Sequence, residues 1–293
     1  MKKINNISII IINKNDRGIA DTLSVLVKIN SPIAYEIIVV DASSGKLDDI
    51  KRKFPSVKWY EFRPIKTKKN TRAEQRNVGI RKSKGEIIIF IDANCAPVNN
   101  WLTKLISPII ENDEKIVAGR VVSKHKPTIH DRPIEVNINS VYLHDCPTIN
   151  LAFVKEVYDV VGKFDDKLSG GEDIDFSWRA VDSGYKIRYI PEALIAHDWG
   201  KFSEEAKRAY SYGMAKARLY KKHSSRRKSI FKYDLVVIAY PVYLLGLPIT
   251  IFFWPYPMLI LLPFFKNLKF HPFKTIGFNT VVAVGVLRGV IRK

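Results

Sequence analysis

Two short stretches of this chain carry residue types that could do acid–base and ligand chemistry. The first is Gly170-Gly171-Glu172-Asp173-Ile174-Asp175-Phe176-Ser177-Trp178-Arg179. Two glycines permit a sharp turn, and two acids then open a helix, where the positive end of the helix dipole favours a carboxylate. Ile174, Trp178 and Val181 fall on one helical face, and Gly184 stands where the helix would stop. An acid on the first turn of a packed helix is held rigidly and kept ionised, which suits a general base aimed at a hydroxyl. A plainer reading stands beside it: acids are common at helix starts, and Asp175 with Arg179 makes an i,i+4 ion pair. The second stretch is Glu86-Ile87-Ile88-Ile89-Phe90-Ile91, an apolar strand pattern that runs into Asp92-Ala93-Asn94. Oxygen donors at the carboxyl end of a buried parallel strand sit where open α/β sheets bind ligands. Two of them, two residues apart, suit Mg²⁺ or Mn²⁺ carrying a diphosphate, although Asp and Asn also favour plain turns.

The elements that must hold these residues follow from periodicity. Up to about residue 122, strand and helix patterns alternate, which predicts an α/β fold on a mainly parallel sheet. Strands are expected near 7–12, 36–41, 57–61, 86–91 and 116–122, with helices near 17–29, 46–53, 71–83 and 100–111. Thr71-Arg72-Ala73-Glu74 reads as a capping box and places Arg72 and Arg76 four residues apart on one helix. From 123 to 150 the pattern loosens around Pro127, Pro133, Pro147 and three histidines, as an acceptor-side excursion or a loop would. A helix after Gly171, a strand at 186–190 and a segment ending at His197 complete the domain.

With these parts in order, the chain resembles a family 2 glycosyltransferase of the GT-A fold, from about Ser8 to His197. The strand Ser8–Ile12 leads to Asn13 and Asp16, and the strand Glu36–Val40 ends in Asp41. Arg72, Arg76, Asn77 and Gly79 match an R-x-x-x-R-N-x-G stretch, and Asp92-Ala93-Asn94 occupies the D-x-D position. Asn150-Leu151-Ala152-Phe153 and Gly162-Lys163-Phe164-Asp165 resemble acceptor-side signatures, Glu172-Asp173 stands at the catalytic acid pair, and His197 follows. The resemblance implies a hexosyl transfer from a nucleotide-diphosphate sugar with inversion. It implies Asp173 as base with Glu172 beside it, and Asn13, Asp16, Asp41, Arg72, Arg76 and Asp92 on the donor. Asp92, Asn94 and His197 would hold Mg²⁺ or Mn²⁺, and Asn150, Trp178 and Glu172 would meet the acceptor, although the place of Trp178 on the apolar face favours a core residue over an acceptor platform. A carboxylate at Asp41 would suit a uracil N–H, so a UDP-sugar is favoured over a GDP-sugar. Asn94 departs from the usual acid, and an amide brings no charge to a metal; a silent nucleotide-sugar or lipid binder is the alternative reading. Trp178-Arg179 lacks the Q-x-x-R-W context of processive synthases, so transfer of one or few sugars is expected.

Composition bears on partners and place. Lys and Arg total 48 against 29 Asp and Glu, a formal charge of +19, which calls for an anionic partner. No zinc finger, basic zipper or RNA-binding aromatic signature speaks for nucleic acid. The two cysteines, Cys95 and Cys146, make no disulfide framework, and the N-terminal apolar run is too short for a signal peptide. Residues 201–232 hold eleven Lys and Arg against two Glu, and 235–265 then hold no charge at all. That run exceeds the roughly 20 residues a bilayer crossing needs, yet five prolines break it. A second apolar stretch covers 276–287. The expected layout is a catalytic domain at 1–200, in a nucleotide-sugar half (1–122) and an acceptor half (123–200). A basic amphipathic linker at 201–232 follows, then membrane-associated helices at 233–293, spanning or re-entrant. The positive-inside rule puts the domain on the cytoplasmic face of a membrane, fit for cell envelope glycan synthesis on a lipid-linked acceptor.

Overall fold

The computed structural model describes residues 4–63, 71–98, 100–125, 141–168, 170–200, 202–261 and 272–291. These fall into two compact units. The first takes the described residues of Met1–His125, Pro133–Lys167 and Glu172–Asp198; the second takes those of Leu168–Gly171 and Trp199–Lys293.

The first unit is a nine-stranded sheet with helices around it. Its strands are β1 (Asn6–Asn13), β2 (Ala34–Asp41), β3 (Lys58–Glu61), β4 (Ile87–Ile91), β5 (Cys95–Pro97), β6 (Ile116–Ser123), β7 (Tyr142–Leu143), β8 (Asn150–Val154) and β9 (Ile187–His197). The order is β3-β2-β1-β4-β8-β6-β9-β5, with β7 against β9. The expected parallel character holds for β3-β2-β1-β4. Beyond β4 the ladders are antiparallel except for β6 with β9, so the sheet as a whole is mixed. Ile9, Ile10 and Ile11 of β1 and Ile87 to Ile91 of β4 are all buried, as unbroken apolar runs must be when helices cover both faces. β8 enters between β4 and β6; Leu151-Ala152-Phe153 is too short an apolar run for periodicity to type.

The helices of this unit are α1 (Ile19–Leu26), α2 (Asp48–Lys53), α3 (Thr71–Lys82), α4 (Trp101–Glu111), α5 (Lys155–Val161) and α6 (Glu172–Asp182). Helix α3 starts at Thr71, whose side chain lies outside the described residues, as do 126–140 of the expected excursion. Gly79 is forced by packing: a Cβ there would fall 2.5 Å from Ile10 Cγ2 on β1. Helix α6 ends at Gly184, which takes φ +91°.

The second unit is helical: α7 (Phe202–Lys222), α8 (Ile230–Tyr233), α9 (Val236–Leu245) and α10 (Pro272–Ile291), with 3₁₀ segments at Ser224–Ser229, Leu247–Ile251 and Tyr256–Leu261. The run at 235–265 therefore yields no long helix among the described residues; its prolines limit it to ten residues of α-helix and two 3₁₀ pieces. Helix α10 alone among the described residues is long and apolar enough to cross a membrane, with a mean hydropathy of 1.3. The linker and the apolar C-terminus form one packed unit. Helices α7 and α10 meet at small residues, where a Cβ on Gly213 would fall 2.0 Å from the Val282 carbonyl oxygen.

Candidate active site

The carboxyl ends of β1 and β2 are tied into a polar rim. Asn13 accepts the Asp16 N–H at 3.2 Å and donates to the Asp16 carbonyl at 2.9 Å, while Asp16 accepts the Gly18 N–H at 2.8 Å. Asp41 accepts the N–H and the hydroxyl of Ser43, and the Ser43 hydroxyl accepts the Asn15 N–H at 2.7 Å. Burial, more than any neighbour, holds the Asp41 carboxyl above its usual range. Gln75, which the sequence reading passed over, is buried on α3. It donates to the Asn13 carbonyl at 3.0 Å and the Val40 carbonyl at 2.8 Å, so it fixes the two strand ends against each other. Its signal was a neutral polar residue inside the R-x-x-x-R-N run.

The same helix explains the rest of that run. Asn77 donates to the Phe164 carbonyl and accepts the Phe164 N–H, both at 2.9 Å. Its amide thereby reproduces a strand-like pair with the loop before α6. Arg76 is buried and donates to the Glu172 carboxylate, which is itself buried, and Arg72 Nε stands 3.7 Å from the same oxygen. Burial would lower the Arg76 pKa, but Glu172, Asp173 and Asp92 outweigh it and raise it. Arg76 thus lies within the field of three acids, one from the end of β4 and two from α6. Arg76, expected on the donor, has its guanidinium buried and engaged with Glu172. Arg72, 58 % exposed at its side chain, is the arginine with access to a donor.

Asp173 is half-buried and accepts the Ile174 N–H at 2.9 Å. Burial first and the Glu172 charge second push its carboxyl up, while Arg76, the Ile174 N–H and Arg72 pull it down, and the net direction is up. The dipole therefore does not keep this acid at an ordinary pKa; removal from water wins. A carboxylate with a raised pKa is a stronger base, and one beside a fixed cation keeps its position. Asp175 follows the plain reading: fully buried, it accepts Arg179 Nε at 2.9 Å, and Arg179 also donates to the Val161 and Lys163 carbonyls.

Asn150 and Glu172, expected at the acceptor, are engaged within the protein, and Trp178 takes the core place that its apolar helix face favoured. Asn150 is buried in β8, accepts Trp101 Nε1 at 2.9 Å and donates to the Arg120 and Ala193 carbonyls. Its amide locks three strands and offers no face to an acceptor. Trp178 is fully buried with Nε1 donating to Asp145 at 2.9 Å, so it is core. Glu172 is Arg76's partner rather than an exposed acceptor ligand.

Asp92 ends β4 and Asn94 follows in a left-handed turn with φ +66°. Asn94 needs Gly18 opposite it, since a Cβ there would fall 2.5 Å from the Asn94 Cγ. His197 pairs with Cys95 across β5 and β9, its Nδ1 3.3 Å from Cys95 Sγ, and the Asp198 N–H donates to the Asn94 carbonyl at 3.3 Å. Burial pushes the Cys95 thiol up, with Asp92 and Asp16 adding to it, which suits a packing residue. No group of three His, Cys, Asp or Glu side chains poised for a metal occurs among the described residues. Asp92, Asn94 and His197 would contribute one carboxylate, one amide oxygen and one imidazole. That mixed set fits a divalent ion whose remaining positions are filled by ligand oxygens.

Comparison with known proteins agrees. The family model for glycosyl transferase family 2 matches residues 8–159. Glycosyltransferase AglE of Haloferax volcanii is 24% identical over 215 residues, covering 70% of each chain. The pre-mycofactocin glycosyltransferase of Mycobacterium tuberculosis is 29% identical over 139 residues, 43% of this chain and 30% of that one. Among solved structures, the mannosyltransferase PcManGT from Pyrobaculum calidifontis, in complex with GDP-Man and Mn²⁺, has a TM-score of 0.77 at 14% identity. The match covers 100% of this chain and 89% of that one. GalNAc-T7 with UDP, GalNAc and Mn²⁺ has a TM-score of 0.55 at 16% identity, over 81% of this chain and 58% of its own. With the acid pair of α6, the strand-end acids and the mixed sheet already in place, the chain belongs to glycosyl transferase family 2 and is a glycosyltransferase of the GT-A fold.

Proposed function

We propose that this enzyme moves a sugar, with inversion, from a nucleotide-diphosphate sugar to a hydroxyl of a lipid-linked or other membrane-proximal acceptor. The observation that carries the reading is Asp173: a carboxylate of raised pKa, on the first turn of α6, next to the buried Arg76–Glu172 pair. Asp173 takes the acceptor hydroxyl proton as that oxygen attacks the anomeric carbon from the side opposite the diphosphate. Glu172 holds Arg76, and Arg76 holds the field around Asp173, so Glu172 is a positioning residue. Asp41, Asn13 and Asp16 line the nucleoside end, and the Asp41 carboxylate favours a UDP-sugar by accepting a uracil N–H. PcManGT with GDP-Man and GalNAc-T7 with UDP keep both nucleotides in play. Exposed Arg72 offsets charge on the departing diphosphate. Mg²⁺ or Mn²⁺ bound at Asp92, Asn94 and His197 would supply further neutralisation there. The work is done at a membrane, on its cytoplasmic face; the apolar helix α10 supports the first part and the cationic block before the apolar run supports the second.

The test is a screen of nucleoside diphosphates by thermal shift with Mn²⁺, followed by transfer assays with the matching sugar nucleotides. A nucleotide that raises the melting temperature and whose sugar is transferred supports the reading. Binding with neither transfer nor hydrolysis would instead assign a silent relative.

A further inference from the structure

The acid pair Glu172-Asp173 follows directly on a segment of the other unit. Leu168–Gly171 belongs to the second unit, and α6 of the first begins at Glu172, one peptide bond later. Gly171 takes φ +77°, a left-handed conformation that a side chain would strain. It also lies against α7 more closely than a side chain allows: a Cβ there would fall 2.9 Å from Leu219 Cδ1 and 3.2 Å from Ala215 Cβ. Leu219 and Ala215 are buried, as is Leu168 at the start of the segment. The turn before the acid pair is therefore seated on one face of α7, within the second unit.

Helix α7 presents that seat with support behind it. Residues i and i+4 share a helical face, so Ala215 and Leu219 form one row. Gly213 and Ala217 form another, two residues and about 200° round the helix. This second row meets α10. A Cβ on Gly213 would fall 2.0 Å from the Val282 carbonyl oxygen, and one on Gly289 would fall 2.9 Å from Ala217 Cβ. Ala209, Val282 and Val286 are the buried core of that contact, with Ala217, Phe278 and Val281 packed on it. A helix gripped that closely along one row is a stiff seat for whatever rests on the opposite one.

Little chain lies between the seat and Asp173. Consecutive Cα atoms are about 3.8 Å apart, so Asp173 is at most about 7.6 Å of chain from Gly171. The one residue between them, Glu172, is buried and accepts from the Arg76 guanidinium, so it gives no slack. The first turn of α6 is thus fixed at two points, at Glu172 by Arg76 and at Gly171 by α7. A misplacement of about 1 Å at a reacting group can cost about 10²-fold in rate. We infer that Leu219 and Ala215 are positioning residues for sugar transfer: through Gly171 they set where Asp173 stands. The inference rests on Asp173 as the base and adds the part of the second unit that places it.

Full-length Leu219→Ala and Gly171→Ala test this, with Leu219→Met as the conservative change. UDP or GDP, whichever raises the melting temperature with Mn²⁺, serves as the binding probe. Its sugar nucleotide is the donor for transfer to acceptor in isolated membranes. Leu219→Ala and Gly171→Ala should each lower kcat by about 10–10²-fold. Donor KM and nucleotide affinity should stay within about twofold, because what is lost is realised only in the transition state. Leu219→Met conserves volume and should recover most of kcat. Leu219→Val removes less and keeps the comparison if Leu219→Ala does not fold, with a smaller fall in the same direction. Loss of nucleotide affinity in step with kcat would mark general loosening and overturn the inference, as would wild-type kcat in a folded alanine variant. Asp173→Asn separates the two readings. Transfer retained in it breaks the assignment of the base, whereas transfer lost in it and kept in Leu219→Ala breaks only the positioning.

Discussion

The two units solve opposite problems with the same chemistry. The first buries charge: Arg76, Glu172 and Asp175 lie inside it, each held by a partner. The second exposes apolar side chains while its ion pair, Lys216 with Asp234, stays half in water. Burying a paired charge costs several kcal/mol per ion and is a poor route to stability. A protein that does so at one end of one helix is holding a geometry. Exposing large aromatics to water is unfavourable at roughly 25 cal/mol for each Å², a cost that the proposed work at a membrane would relieve. The contrast separates a centre held by buried charge from a surface rich in exposed apolar side chains.

The comparison can be broken at either end. The largest effect is expected from Arg76→Ala, which strands Glu172 inside the protein. Stability should fall by about 3–5 kcal/mol on chemical denaturation, whereas Arg76→Met with Glu172→Leu should recover much of it and still lack transfer. An Arg76→Ala protein as stable as the wild type would show that the pair does not organise the site. Next comes Gly285→Val, whose side chain would fall 2.2 Å from the Tyr210 carbonyl oxygen. It should cost about 1–3 kcal/mol and lower the helical signal, while Val284→Ile at an exposed position should do neither.

A smaller effect concerns pH. The Asp173 carboxyl is pushed above its usual range, and transfer needs it deprotonated. The rate should therefore be complete above that raised pKa and be lost as pH falls through it, giving an acid limb above the ordinary aspartate value of about 4. Because Glu172 pushes this pKa up and Arg76 pulls it down, Glu172→Gln should move the limb to lower pH and Arg76→Met should move it to higher pH. A limb that stays at the ordinary value would remove Asp173's environment from the account. The smallest change is expected from Asn94→Asp, which keeps a left-handed turn that Asp tolerates. It should tighten Mn²⁺ severalfold by adding a charge, read by isothermal titration, and chelation should abolish turnover in both proteins.

Much of this was legible in the residues. The strands of the first half, the helix after Gly171 and the strand-end acids declared themselves through period and polarity. What failed to show was who pairs with whom. Arg72 and Arg76 look alike in sequence, yet a partner 96 residues away buries one and leaves the other exposed. Asn150 and Trp178 carry polar atoms that suit an acceptor, but Trp101, Arg120, Ala193 and Asp145 take them up. Gln75 gave no chemical hint, because tying two carbonyls is a task visible only once β1 and β2 lie side by side. The prolines at 248 and 255 were legible as breaks, whereas α9 runs through Pro241, and the exposure of the apolar side chains at 245–259 was not legible.

The central claim is that Asp173 accepts the proton during sugar transfer, and Asp173→Asn tests it most directly. The substitution keeps shape and hydrogen bonding but cannot bind the proton. With the donor nucleotide identified, transfer by Asp173→Asn should fall roughly 10²–10⁴-fold, while nucleotide affinity and melting temperature stay at wild-type values. Turnover above a few per cent of wild type, with binding intact, would contradict the account and move the base elsewhere.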